Sequence, residues 1–62
     1  MTFVIEICDG IVQGVQPWQD RGDAVDMFCR LAADYGTEAT SEDVERGYMK
    51  FENDYTIQIL DE

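Results

Sequence analysis

Between Asp20 and Tyr35 apolar residues recur with the period of an α-helix, and no other stretch of the chain is both long and regular enough to compete. At about 100° per residue, Ala24, Val25, Phe28, Leu31, Ala32 and Tyr35 share one arc of roughly 120°. Asp20, Asp23, Asp26, Arg30 and Asp34 occupy the opposite side, with Met27 at its edge. A helix with one apolar stripe needs a core to cover, so the flanking segments are read as the sheet beneath it. Asp20 is placed to cap the first turn, and Asp23 adds negative charge where the helix dipole favours it. Tyr35-Gly36 ends the helix, with Gly36 in the left-handed position past the last turn. Asp26, Arg30 and Asp34 stand four residues apart, which predicts that Arg30 bridges both carboxylates for a few tenths of a kcal/mol.

Residues 2–8 are β-branched and aromatic, and too few for a globular helix. Asp9-Gly10 follows, a pair suited to a type I′ turn because both central positions need positive φ. Ile11 to Gln16 then returns as a second strand, and Pro17-Trp18 is expected to end it because proline cannot donate to a ladder. An uninterrupted two-residue hairpin puts Phe3, Ile5, Ile7, Val12 and Gly14 on one face, the face expected to meet the helix. Val4, Glu6, Cys8, Ile11, Gln13 and Val15 take the other, where Val4, Ile11 and Val15 are a candidate homodimer surface. Trp18 is expected at the rim of the core.

In the connection from Thr37 to Gly47, Thr40 followed by Ser-Glu-Asp starts a short helix and Arg46-Gly47 ends it, giving one or two turns over 41–46 anchored by Val44. The last segment, Tyr48 to Leu60, is a second hairpin whose turn follows from its pattern. A two-residue Asn53-Asp54 turn mixes apolar and polar residues on both faces. A three-residue loop, Glu52-Asn53-Asp54, pairs Phe51 with Tyr55 and Met49 with Ile57, and gathers Met49, Phe51, Tyr55, Ile57 and Ile59 on one face. The expected fold is α+β in the order ββαββ: one domain over 1–62, a four-stranded, largely antiparallel sheet with one amphipathic helix packed on one face and a short second helical turn.

Composition bears on function through charge. Fourteen carboxylates face three Arg and one Lys, with no His, for a net charge of −10. Such a surface repels nucleic acid and anionic membrane and speeds encounter with a basic partner. Solubility or adaptation to a salty cytoplasm would produce the same excess. Without His there is no ordinary general base, and Ser41, the only serine, lies in a helix start. Cys8 and Cys29 have no metal-ligand spacing, and Cys29 has neither a helix N-terminus nor concentrated positive charge to lower its thiolate pKa. Helical carboxylates at three-residue steps cannot wrap a calcium ion. No glycine-rich phosphate loop, signal peptide or apolar membrane span is visible, so the chain is expected in the cytoplasm with free thiols and no cofactor.

Carboxylates can, however, stand in for phosphates. From Asp20 to Asp34 is about 21 Å at 1.5 Å per residue, comparable with six phosphates along one DNA strand. Glu42, Asp43 and Glu45 on the short helix offer a second row. The expected function is a non-catalytic, acidic protein-binding module that docks a basic protein through Asp20, Asp23, Asp26, Asp34, Glu42, Asp43 and Glu45. Its sharpest form is a phage or mobile-element inhibitor that mimics nucleic acid and blocks a basic channel of a host defence protein, of anti-restriction or anti-CRISPR type. Over residues 3–35 the order strand, turn, strand, helix resembles, at the level of fold, the N-terminal half of HicB-type antitoxins, which are also acidic. The alternatives are an antitoxin-like or regulatory subunit neutralising a basic partner, or a salt-adapted small domain of other role.

Overall fold

A computed structural model describes residues 1–62. The chain runs β1 (Thr2–Cys8), β2 (Ile11–Trp18), α1 (Arg21–Asp34), α2 (Ser41–Arg46), β3 (Tyr48–Lys50) and β4 (Tyr55–Asp61). The four strands form one sheet in the order β2-β1-β4-β3, with every neighbouring pair antiparallel. This is the expected α+β fold, with β1 and β4 at its centre.

The helix forms as its pattern predicts. Asp20 caps it by accepting a 2.8 Å hydrogen bond from the Gly22 N–H. At the other end Gly36 has φ +74°, and the N–H groups of Gly36 and Thr37 donate to the carbonyls of Ala33 and Ala32. Those are the two bonds that close a helix on a left-handed residue. Ala24, Phe28 and Ala32 are fully buried, and Phe28 and Ala32 join Met49, Tyr55 and Ile57 in the core. The second hairpin also has the expected register: Met49 opposes Ile57, and the Phe51 N–H donates to the Tyr55 carbonyl. Both Asn53 and Asp54 adopt positive φ to make the three-residue loop. The short helix spans the expected residues, with a reciprocal Thr40–Asp43 capping box and Gly47 left-handed at its end.

The first hairpin departs from expectation. Ile7 pairs with Val12 but Glu6 pairs with Gly14, so Gln13 is an extra residue, a β-bulge on β2. Beyond it the register shifts by one, and Val15 opposes Ile5 instead of Val4. The inward face of β1 is also the reverse of the expected one. Val4 is 1% exposed, and Phe3, Ile5 and Ile7 point away from α1. The cause lies in β4, whose alternation is unambiguous: Tyr55, Ile57 and Ile59 inward, Thr56 and Gln58 outward. Pairing sets Cys8, Glu6 and Val4 beside Tyr55, Ile57 and Ile59, so β1 must turn that face to the helix. The surface of Val4, Ile11 and Val15 expected for a homodimer therefore does not exist: Val4 is core, and Val15 lies on the opposite side of the sheet.

Pro17 does not end β2 either. The strand continues through Pro17 to Trp18, paired with Phe3 and Thr2. β2 is an edge strand, where a missing N–H costs no ladder bond.

Candidate functional site

Two surfaces have the character of a site, and the fold holds them on opposite sides of the molecule. The first is the outer face of α1. Asp20, Asp23, Asp26 and Asp34 are all exposed there, because the buried Ala24–Phe28–Ala32 stripe fixes the rotation of the helix. Asp26 and Asp34 are eight residues apart, about 12 Å along the axis. Arg30 shares this face but bridges neither neighbour. The chain has two ion pairs, Arg21–Asp61 at 3.2 Å and Arg46–Asp43, and Arg30 is in neither. A solvated guanidinium gains little from an exposed carboxylate and loses side-chain freedom in reaching it.

The seven carboxylates singled out from the sequence do not form one uniform row. Asp20 is committed to its cap. Asp43 is half-buried, accepting from the Thr40 N–H and from Arg46 while the Thr40 hydroxyl accepts from its own N–H. The Thr40 backbone bond above all, with help from the Thr40 hydroxyl and Arg46, holds the Asp43 carboxyl below the usual carboxylate range. Asp23, Asp26, Asp34, Glu42 and Glu45 remain exposed with no side-chain hydrogen bond or ion pair. Their helices sit over different parts of the sheet: α1 packs on β1, β4 and β2, and α2 on β3. The acidic surface is thus two rows.

Trp18 was expected only as a rim residue, yet it takes part in the first row. With Asp23, Asp26, Met27 and Arg30 it lines a shallow groove of about 160 Å³. Its indole Nε1–H is buried there without a hydrogen-bond partner. Nothing in the sequence signals this, because it depends on β2 running two residues further than proline normally permits.

At the far end of α1, Tyr35 stacks on Tyr55 with ring centroids 4.4 Å apart and on Phe51 at 5.2 Å. Burial, and then the nearby Glu6 carboxylate, push the Tyr55 phenol well above its ordinary pKa. The phenol therefore stays neutral, and the ring is part of the core. Cys8 and Cys29 are both half-buried free thiols. No three carboxylates or thiols converge in a geometry that would hold a metal ion. No helix is long and apolar enough to cross a membrane.

The second surface is the open side of the sheet. Phe3, Ile5 and Ile7 run down its middle, half-buried only by one another and by neighbouring strands. Val12, Val15 and Leu60 flank them at 55%, 52% and 55% exposure, and Tyr48 lies toward the β3 edge. Thr56 and Gln58 are its polar members, and Lys50 its only charge. The chain matches no protein-family model, and comparison with curated proteins and with solved structures finds no match.

Proposed function

We propose that this protein is a non-catalytic docking module whose acidic helical face binds a basic surface of another protein. In its more pointed form it occupies a channel built for nucleic acid, as an inhibitor from a phage or mobile element would. The observation that carries this reading is the free state of the carboxylates. Asp23, Asp26 and Asp34 stand on one rigid helix, exposed and without intramolecular partners, and Arg30 leaves them unneutralised. A coat of acid serving solubility alone has no need of that concentration, whereas Lys and Arg side chains of a partner would complete it. The Trp18 groove beside Asp23 and Asp26 adds an apolar contact of the kind that anchors interfaces.

The test compares charge reversals matched in number. Partners are captured at low salt from cells that encode the protein, and their affinity is then measured for two double variants. Asp23→Lys with Asp26→Lys removes the proposed face. Glu52→Lys with Glu62→Lys changes net charge equally at exposed positions outside both helices and far along the chain from the Trp18 groove. Asp61 is unsuitable as a control, because it accepts from the Thr2 hydroxyl at 2.8 Å and pairs with Arg21. The expected result is a much larger loss for the first pair, and binding that weakens as the Debye length falls from about 10 Å at 0.1 M salt to about 3 Å at 1 M. Equal losses would refute a docking face. Binding that does not compete with the partner's DNA or RNA would favour the alternative, a regulatory or antitoxin-like subunit.

A further inference from the structure

The open sheet face is the most unusual surface of the molecule. Two layers with a shortest extent of 17 Å leave only eight of 62 residues buried, while Phe3, Ile5 and Ile7 of the central strand β1 face outward. A chain this small gains little stability from a single thin core, and association is a common remedy. We propose that this face is where a second copy of the chain docks, sheet against sheet, to give a symmetric dimer with the two α1 helices outermost.

Charge argues for this placement. None of the fourteen carboxylates lies on this face. Glu6 and Asp61 are on the helix side, Asp9, Glu52 and Asp54 are in turns, and the others lie on the helices, their caps, the connection or the chain end. With a net charge of −10, two copies repel wherever acid meets acid. This face is the one broad surface on which they can approach. The occupant must be flat, apolar and free of negative charge, and the same face of a second copy meets all three requirements. It is also the one partner present wherever the chain folds.

Area and geometry are sufficient. At about 4.8 Å between strands and 3.3 Å per residue, the patch on β2, β1 and β4 projects to roughly 350 Å². With the relief of the side chains, two copies bury on the order of 1,000 Å², the threshold for a biological interface and below the roughly 1,200–2,000 Å² of tight ones, so a weak dimer is expected. Pairing by strand addition is disfavoured instead. β2 carries the Gln13 bulge and Pro17, and β3 is three residues long with α2 packed against it. In a face-to-face dimer the acidic helices lie about 30 Å apart, roughly three Debye lengths at 0.1 M salt. Repulsion between them is felt only below that salt, so the dimer should tighten from about 0.01 M, where the Debye length is about 30 Å, to 0.1 M and change little above it. Binding through the acidic face weakens with salt throughout, so each proposal can fail without the other.

Sedimentation of the parent chain from micromolar to millimolar concentration, at low and high salt, tests the proposal. A dimer is expected whose dissociation constant falls from about 0.01 M to 0.1 M salt and changes little above that. Val15→Lys and Leu60→Lys should each weaken it by roughly tenfold to a hundredfold, as expected for uncovering an apolar side chain. Lysine lowers the net negative charge, so added acid cannot explain the loss. Asp26→Lys, on the other side of the molecule, should leave the dimer intact. Should a lysine variant fail to fold by circular dichroism, the parent alone decides: its melting temperature must rise with chain concentration. A parent that stays monomeric throughout overturns the proposal and leaves the face to a partner of another kind. A dimer indifferent to both lysines, or a melt independent of concentration, overturns it equally.

Discussion

The bulge at Gln13 separates two valines that simple alternation would put together, and replacing each with alanine measures that separation. Val4 lies on the central strand β1, 1% exposed, between Ile59 of β4 and Gln16 of β2. Val15 is on the edge strand, 52% exposed. The two substitutions remove the same atoms, so their difference reports burial together with the weaker demand for a β-branched residue on an edge strand. At position 4 the lost transfer free energy is about 1.6 kcal/mol for two methylene equivalents. The cavity left between paired strands adds up to about 1 kcal/mol. Val4→Ala should therefore cost roughly 1.5–3 kcal/mol, and Val15→Ala about 0.5 kcal/mol. A chain of this length has roughly 3–9 kcal/mol in all, so the first change consumes a large part of its stability. In a melt that is about 10 °C or more against a few degrees. Urea unfolding followed by circular dichroism at submicromolar concentration gives both values with self-association removed. Equal costs, or a greater cost at Val15, would refute the assignment of β1's inner face and with it the bulge.

Two further outcomes follow from backbone and electrostatics. Gly14→Ala should stabilise the chain by about 0.5–1 kcal/mol, because a Cβ there meets nothing within 4 Å and alanine restricts the unfolded chain. Gly47→Ala should destabilise it by roughly 1–2 kcal/mol, since Gly47 has φ +69° and its Cβ would approach the Ile59 carbonyl oxygen to 3.1 Å; denaturant titration of both variants checks the opposite signs. The raised pKa of Tyr55 means that the unfolded chain releases that proton first. Its contribution to stability is complete below about pH 10, the value in an unfolded chain, and is lost progressively above it. Alkaline phenolate absorbance, compared between the parent and Tyr55→Phe, should show Tyr55 ionising only as the fold is lost; ionisation within the folded state would refute the account of its burial.

The elements legible in the sequence are those whose two faces differ in chemistry. Helix α1 has apolar residues on one side and charges on the other, so its rotation as well as its extent could be read. In the second hairpin only one loop length gathers Met49, Phe51, Tyr55, Ile57 and Ile59 on one face, and that loop is the one formed. Helix α2 announced its ends through Thr40 and Gly47. β1 is the contrary case. Phe3, Ile5 and Ile7 are at least as apolar as Val4 and Cys8, so the strand itself does not say which side is core. Only its pairing with β4 decides, and that contact joins residues 47 to 59 positions apart, from Cys8–Tyr55 to Thr2–Asp61. Gly14 stands beside the Gln13 bulge, and an isolated glycine in a strand is one mark of a bulge, but it also fits a close approach to an unbroken strand and so does not fix the extra residue. Pro17 lacks a donor, which ends a central strand but costs an edge strand such as β2 nothing.

For the acidic residues, position was legible but availability was not. A sequence shows seven carboxylates on two helices; hydrogen bonding divides them. Asp20 and Asp43 serve caps, where losing the side chain typically costs about 1 kcal/mol of stability. A reversal at either would weaken partner binding partly by loosening the helix, and the loss could not be assigned to a docking contact. Asp23 and Asp26 cap nothing and make no side-chain hydrogen bond, and they flank the groove that holds Trp18; a lysine at Asp23, in the first turn, opposes the helix dipole by roughly 0.3–1 kcal/mol, whereas one at Asp26 does not. Asp34 has none either, but it lies near the Tyr35–Tyr55 stack and contributes to the field that keeps the Tyr55 phenol neutral. A lysine there would disturb the aromatic end of the core as well as the surface. Charge reversal therefore reports on docking most cleanly at Asp23 and Asp26, where surface charge changes and the fold's own hydrogen bonds do not.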